Sequence, residues 1–319
     1  MNLNSRLKKK PPANTIPLHQ GYSKFYFVTF ARLRRASVYK LSTFFMWDNI
    51  IHYFSDLESR PLDRVVFLVG GLLFFWIIEG SIPLLQLKFR KTRIRHAMVN
   101  LGLTFFHLVI HTFLALIIIK ISDWSVANNF GVINWLKAGT LVTILLTIFI
   151  VDFFGGWLVH ITEHKFKILW RFHVVHHADT NVDVTTGLRH HPIESVIRGL
   201  FFFIGILVSG APMYAVMIYQ TVLIFFTAFE HANIRLPKWI DNTMSYIFVS
   251  PNMHKVHHHW KQPFTDSNYG AILSVWDRLF GTFKKLTHDQ IRYGIDRDYP
   301  DEKDEEIVLL ITKPFQKLN

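Results

Sequence analysis

Three histidine clusters in this chain could do chemistry together: His160-x-x-x-His164, His173-x-x-His176-His177 and His254-x-x-His257-His258. Twelve of the 18 histidines fall between His160 and His259. Imidazole titrates near neutrality and is the commonest metal ligand. Spacings of i, i+3 and i+4 gather side chains on one helix face, so each cluster reads as a half-site. Eight imidazoles exceed what one ion can use, which argues for two. The chain has no cysteine, which excludes disulfides, thiolate and iron–sulfur sites and a cysteine nucleophile. The donors left are imidazole and oxygen, which suit Fe, Zn, Cu, Ni or Mn. Ferritin-like di-iron sites use carboxylates where this chain offers imidazoles. A neutral histidine shell around two open-coordinate ions suits the binding and activation of dioxygen.

Two other chemistries fit parts of the pattern. His160-Ile161-Thr162-Glu163-His164 matches the His-x-x-Glu-His of some zinc proteases, with Glu163 as general base. That reading leaves six box histidines without a role. A metal transporter would place its ligands near the middle of membrane spans, whereas these boxes flank the apolar runs.

The elements that must position the histidines are apolar. Half of the 319 residues are hydrophobic, and they are bunched. About 20 apolar residues span a bilayer. Runs at 65–87, 98–119 and 135–159 meet that length. A fourth, 196–229, is too long for one straight span and breaks at Gly210-Ala211-Pro212, which predicts a tight helical hairpin. The aromatic, basic stretch 25–54 reads as interfacial amphipathic helix, and residues 1–21 as a lead-in without a signal-peptide pattern. After His259 the chain turns polar: a loop at 261–268, a short amphipathic helix at 271–280, then a charged segment. The predicted architecture is an all-α integral membrane bundle of about four to five membrane segments under a cytosolic helical cap bearing the histidines. Its parts are a basic lead-in (1–64), the membrane domain (65–286) and a polar tail (287–319).

The formal charge of +12 sits largely beside apolar segments, as membrane-flanking charge does, so nucleic-acid binding is not expected. Residues 88–96 hold five Lys/Arg and residues 122–134 hold none, which puts the first loop in the cytoplasm and all three boxes with it. This count leaves the basic N-terminus outside, so either 25–54 contributes a crossing or the first run is re-entrant. His107 and His111, inside the second run, are read as packing or helix–helix hydrogen bonds; His52, His96 and His288 as solvated or interfacial.

From Trp157 to Thr282 the sequence resembles the fatty acid hydroxylase/sterol desaturase superfamily of membrane histidine-box oxygenases. The matching text is His160-x-x-x-His164, Leu169-Trp170-Arg171-Phe172-His173-x-x-His176-His177, Asp183 through Glu194, Phe229-Glu230-His231-Ala232-Asn233, Ser250-Pro251-Asn252-Met253-His254-x-x-His257-His258, Asp266-Ser267-Asn268-Tyr269-Gly270 and Trp276 through Thr282. The resemblance implies two iron ions, dioxygen as co-substrate, a membrane lipid substrate, and electrons from a reductase, ferredoxin or cytochrome. It implies hydroxylation, with desaturation on the same site as the alternative. By motif match the metal ligands are His160, His164, His173, His176, His177, His254, His257 and His258. His231 and His191 match further family histidines, and His190 precedes the latter. Asp179, Asp183, Glu194 and Asp266 are candidates to orient the rings. Two departures stand out: Ile161 replaces the Arg that usually follows the first histidine, and Asp152 lies eight residues before it instead of seven, which leaves the role of Asp152 open. An alkyl chain entering from the bilayer could run along Phe201-Phe202-Phe203 and Phe225-Phe226, which also reads as plain lipid-facing surface. His259 should point away from the box face.

Overall fold

The computed structural model describes residues 48–89, 92–296 and 306–316. The chain divides into a unit of residues 1–50 and a unit of 51–319. The lead-in and most of the interfacial stretch 25–54 lie outside the described residues. All that follows concerns the second unit.

The described residues form helices joined by turns, with isolated bridges in place of β-strands. The long elements are α1 (Pro61–Ser81), α2 (Arg93–Ala127), α4 (Thr140–Asp152), α7 (Pro192–Ser209) and α8 (Met213–His231), with α3 (Val132–Trp135) as a single turn between α2 and α4. A π-helical stretch, Phe153–Leu158, joins α4 to α5 (Val159–Lys165) without a break. Shorter helices follow: α6 (Lys167–His177), α9 (Lys238–Met244), α10 (Pro251–His257), α11 (Val275–Leu279) and α12 (Ile307–Thr312).

Among the described residues, four helical stretches are long and apolar enough to cross a membrane: Arg93–Trp135, Thr140–Lys165, Pro192–Ser209 and Met213–His231. Their outward faces stay apolar, with Phe105 64%, Phe113 67% and Leu145 56% exposed. Surface of that kind is stable against lipid and not against water. The chain is a helical membrane bundle. Inward, α2 packs along α7, α4 along α7 and α8, and α1 along α8. The core they share is built from Val151, Ile206, Val216 and Tyr219.

The predicted hairpin forms as expected. Gly210 ends α7 at φ +68°, a left-handed conformation that glycine adopts without steric cost, and Pro212 precedes α8. Four expectations shift. The second helix extends to Ala127, because Ser122, Asp123 and Trp124 are compatible with a helix that nothing breaks before Asn128. The helix expected over 271–280 shrinks to Val275–Leu279, because the backbone before it is held by buried carboxylates described below. His96 is buried, with its Nε2 3.3 Å from Asp179. The polar tail contains α12, whose Leu310 is fully buried against Val99, Leu103 and Val175.

Candidate metal centre

The histidines meet at one end of the bundle, where α5 and α8 finish and α2 and α7 begin. The spacing of α5 sets His160 and His164 one turn apart. α6, which follows α5 after a turn at the extended residue Phe166, adds His173, His176 and His177; the end of α8 adds His231; α10 and the residue after it add His254, His257 and His258. All nine are buried.

They do not assemble box by box. One group joins His160, His164, His173, His177 and His257, and a second joins His176, His231, His254 and His258. In each group one nitrogen per ring lies within 4.8 Å of all the others. Each His-x-x-His-His cluster therefore splits: the i and i+4 rings go to one group and the i+3 ring to the other. The groups touch, with His177 and His258 stacked at 4.8 Å and His173 and His176 at 5.3 Å between ring centroids.

Hydrogen bonds fix which nitrogen five of the nine rings present. His160 donates from Nδ1 to the Tyr269 carbonyl at 2.9 Å, His257 to the Ser267 carbonyl at 2.7 Å and His231 to the Thr227 carbonyl at 2.8 Å. His173 donates to Glu194 at 2.9 Å, and His164 stands 3.2 Å from Asp266. A carbonyl only accepts, so these rings carry their proton on Nδ1 and keep a bare lone pair on Nε2. His160 and His173 turn bare nitrogens on each other, Nε2 to Nε2 at 3.1 Å, and the bare Nε2 of His231 is 2.9 Å from His254 Nε2 and 3.2 Å from His176 Nε2. Opposed lone pairs repel unless a cation sits among them. A proton is a poor candidate, since burial pushes His173 down to about 4 and His257 down to about 3, and holds His176, His177, His254 and His258 well below the ordinary imidazole value. Nitrogens at about 2.1 Å from one ion are spaced roughly 3 to 4 Å apart, so the arrangement fits a metal in each group.

Buried carboxylates stand behind the rings. Glu194 accepts from His173, from His190 at 2.8 Å and from Arg198 Nε at 3.0 Å. Glu163 takes Arg198 Nη2 at 2.6 Å and lies 3.7 Å from His173 Nδ1. An arginine-paired Glu163 behind a ring is badly placed to be the general base of a zinc-protease reading. Glu230 lies 3.7 Å from His231 Nδ1 and 3.6 Å from His254 Nδ1. Two further carboxylates brace the loop that supplies the Tyr269 carbonyl. Asp152 accepts from the backbone of Ile272 and Leu273 and from Trp276 Nε1, each at 3.1 Å. Asp277 accepts from the backbone of Tyr269 and Gly270 and from Trp157 Nε1.

Of the residues singled out from sequence, Glu194 and Asp266 reach box histidines. Asp152, Asp179 and Asp183 bond elsewhere: Asp179 takes the Thr186 hydroxyl at 2.7 Å, and Asp183 caps the 3-10 turn Val184–Leu188. His191 belongs to neither group. Its Nδ1 accepts from Ile193 N–H at the start of α7 and its Nε2 donates to the Ile311 carbonyl. Its neighbour His190 is the one at the centre, stacked on His176 at 4.3 Å. His107 contacts Ser195 and the His190 carbonyl, a helix-packing role, and His259 accepts from Arg292 N–H, outside both groups. Sequence reasoning read Glu163 only as a zinc-protease base and missed Glu230, although each sits within a matched motif. The carbonyls of Thr227, Ser267 and Tyr269 leave no trace in residue type.

Residues 144–282 match the fatty acid hydroxylase family. The chain is 32% identical over 152 residues to an alkylglycerol monooxygenase of Xenopus tropicalis, covering 47% of this chain and 32% of that protein. It is 30% identical over 130 residues to the ornithine lipid hydroxylase OlsE of Rhizobium tropici, covering 41% of this chain and 38% of that protein. A candidate methylsterol monooxygenase of Dictyostelium discoideum is 24% identical over 257 residues, 77% of this chain and 92% of its own length. The chain thus spans about a third of the length of the first two relatives. No solved structure matches the chain significantly.

Proposed function

We propose that this chain is a membrane-bound oxygenase that uses two iron ions and dioxygen to hydroxylate a C–H bond of a lipid. The observation that carries the reading is the pair of adjacent, buried, all-imidazole groups in each of which one nitrogen per ring converges within 4.8 Å of the others. Relatives named as a monooxygenase of alkylglycerols and a hydroxylase of ornithine lipids support a lipid as the substrate.

In this reading His160, His164, His173, His177 and His257 hold one iron, and His176, His231, His254 and His258 hold the other. Bound iron supplies the activation of dioxygen and the removal of hydrogen from an unactivated carbon. The protein supplies orientation and dryness. Thr227, Ser267 and Tyr269 carbonyls and the Glu194 carboxylate hold the Nδ1 protons, which fixes each tautomer and raises the basicity of the opposite nitrogen. Arg198 neutralises Glu163 and Glu194 behind the His173 ring. Trp170 packs on His164 and His177 and helps exclude water. The balance is RH + O2 + 2 electrons + 2 protons to ROH + H2O, so a reductase, ferredoxin or cytochrome must deliver the electrons. The basic segment 88–96 favours a cytosolic face for the centre and for that donor.

The test is lipid mass spectrometry on cells expressing wild type or His257→Ala under oxygen-18 gas, with metal analysis of both purified proteins. The expected result is a lipid carrying one heavy oxygen with wild type alone, and iron bound to wild type. A product lighter by two hydrogens would replace hydroxylation by desaturation. Zinc in place of iron would overturn the oxygenase reading.

A further inference from the structure

A cleft of about 740 Å³ lies behind α10, across that helix from the metal groups. Met253 and Val256 form part of its wall, on the face of α10 turned away from His254, His257 and His258. Around it stand Arg235, Lys238, Lys284 and Lys285, against two carboxylates, Asp241 and Asp289. Lys285 donates to Asn242 at 3.1 Å. The side chains of Arg235, Lys238 and Lys284 have no carboxylate partner among the described residues. The cleft thus holds an excess of cations with free hydrogen-bonding capacity, and its size suits a small ligand. Its wall also holds two buried acceptors without a donor, Asp241 Oδ1 and Asn252 Oδ1.

The cleft opens beside an apolar flank. α9 has no buried residue, and Trp239 is 73% exposed, Tyr246 64% and Ile247 54%. Phe248 lies against Phe226 at 5.5 Å between ring centroids, level with the last two turns of α8. The flank therefore sits where a membrane-crossing helix leaves the bilayer, the depth at which exposed Trp and Tyr are at home. Cations just outside such a belt attract anionic headgroups.

We propose that this cleft binds the phosphate headgroup of an anionic phospholipid drawn from the surrounding bilayer. The phosphate meets Arg235, Lys238 and Lys284, the acyl chains lie along Trp239, Tyr246 and Ile247, and a headgroup hydroxyl satisfies Asp241 or Asn252. The site is separate from the metal groups, so its failure would leave the oxygenase reading intact.

Calorimetric titration of the detergent-solubilised full chain tests it, with dihexanoyl phosphatidylglycerol, dihexanoyl phosphatidylcholine and inorganic phosphate as probes. Phosphatidylglycerol should bind at least about tenfold tighter than either of the other two. The double variant Arg235→Gln/Lys284→Gln should lose about tenfold or more of that affinity, with metal content per chain unchanged. Trp239→Ala should weaken phosphatidylglycerol and leave phosphate as it was. Equal binding of the two lipids, or an unaffected double variant, would overturn the proposal. Phosphate binding as tight as phosphatidylglycerol would also overturn it, in favour of a soluble anion. Added salt should weaken the lipid in wild type, and indifference to salt counts against the site.

Discussion

His176 and His177 are neighbours in sequence and belong to different metal groups. The reason is angular: on a helix, i+3 and i+4 point about 100° apart, enough to send His173 with His177 one way and His176 the other. His254 and His258 repeat the division against His257. Single substitutions should then be separable. His257→Ala should lose most of the iron of the five-membered group, and His254→Ala most of that of the four-membered group, each retaining roughly half of the wild-type iron by elemental analysis. His191→Ala should keep all of it, because both ring nitrogens of His191 are already engaged by backbone. Loss of iron in His191→Ala would show that the grouping is misjudged. Glu194→Gln keeps the volume but weakens the hold on His173, and iron affinity should fall about 10- to 100-fold in chelator competition. The eight box histidines were legible because their type and spacing announce them. Their division between groups was not, since spacing defines a face and says nothing of what each side of that face meets. Glu163 and Glu230 were visible as letters, but the approach of Glu163 to His173 depends on the turn at Phe166, and that of Glu230 to His254 on two helices distant in sequence.

Elements differ in how openly they declare themselves. The hairpin between α7 and α8 was readable at Gly210-Ala211-Pro212 because backbone chemistry there is local. The short α11 was not, because its boundary is set by Asp152, more than a hundred residues earlier, holding Ile272 and Leu273. α12 was lost inside a charged tail, although Ile307, Leu310 and Ile311 carry helical spacing. The end of the bundle away from the histidines depends on one close approach. Gly131, at φ +95°, comes so near the hairpin that an added Cβ would lie 2.4 Å from Gly210 N. Both the contact and the left-handed backbone forbid a side chain. Gly131→Ala should cost about 2 kcal/mol or more, seen as a lower unfolding temperature in detergent with the iron content of the surviving folded protein unchanged. Gly71→Ala is the contrast. Gly71 sits inside α1 with open space at its Cβ position, so alanine should be neutral or stabilising by about 0.5–1 kcal/mol.

For the whole molecule, the decisive question is which way the bundle points. α2 has 35 residues, about 52 Å of helix, against a hydrocarbon core of about 30 Å. Its two ends must therefore lie on opposite sides of the bilayer if it crosses. At its far end Ser122 donates to the Ala211 carbonyl at 2.8 Å, tying the hairpin to a loop without a single Lys or Arg. Its near end, with the turn before it, holds five basic residues and carries His96, 3.3 Å from Asp179, which lies two residues after His177. The positive-inside rule then predicts a cytosolic face for the histidine end. Because the chain has no cysteine, one introduced thiol reports one position. Ala127→Cys marks the far end and Lys167→Cys the histidine end, both at exposed residues. A membrane-impermeant maleimide added to intact cells, with the protein in their outer membrane-facing bilayer, should label Ala127→Cys at once and Lys167→Cys only after permeabilisation. The reverse pattern would put the metal groups on the outer face, beyond the reach of a cytosolic electron donor. Equal labelling before permeabilisation would mean that α2 does not cross at all. Electron supply, substrate entry and the lipid cleft at Arg235 all depend on this one orientation, since they share the end of the bundle that Lys167 marks.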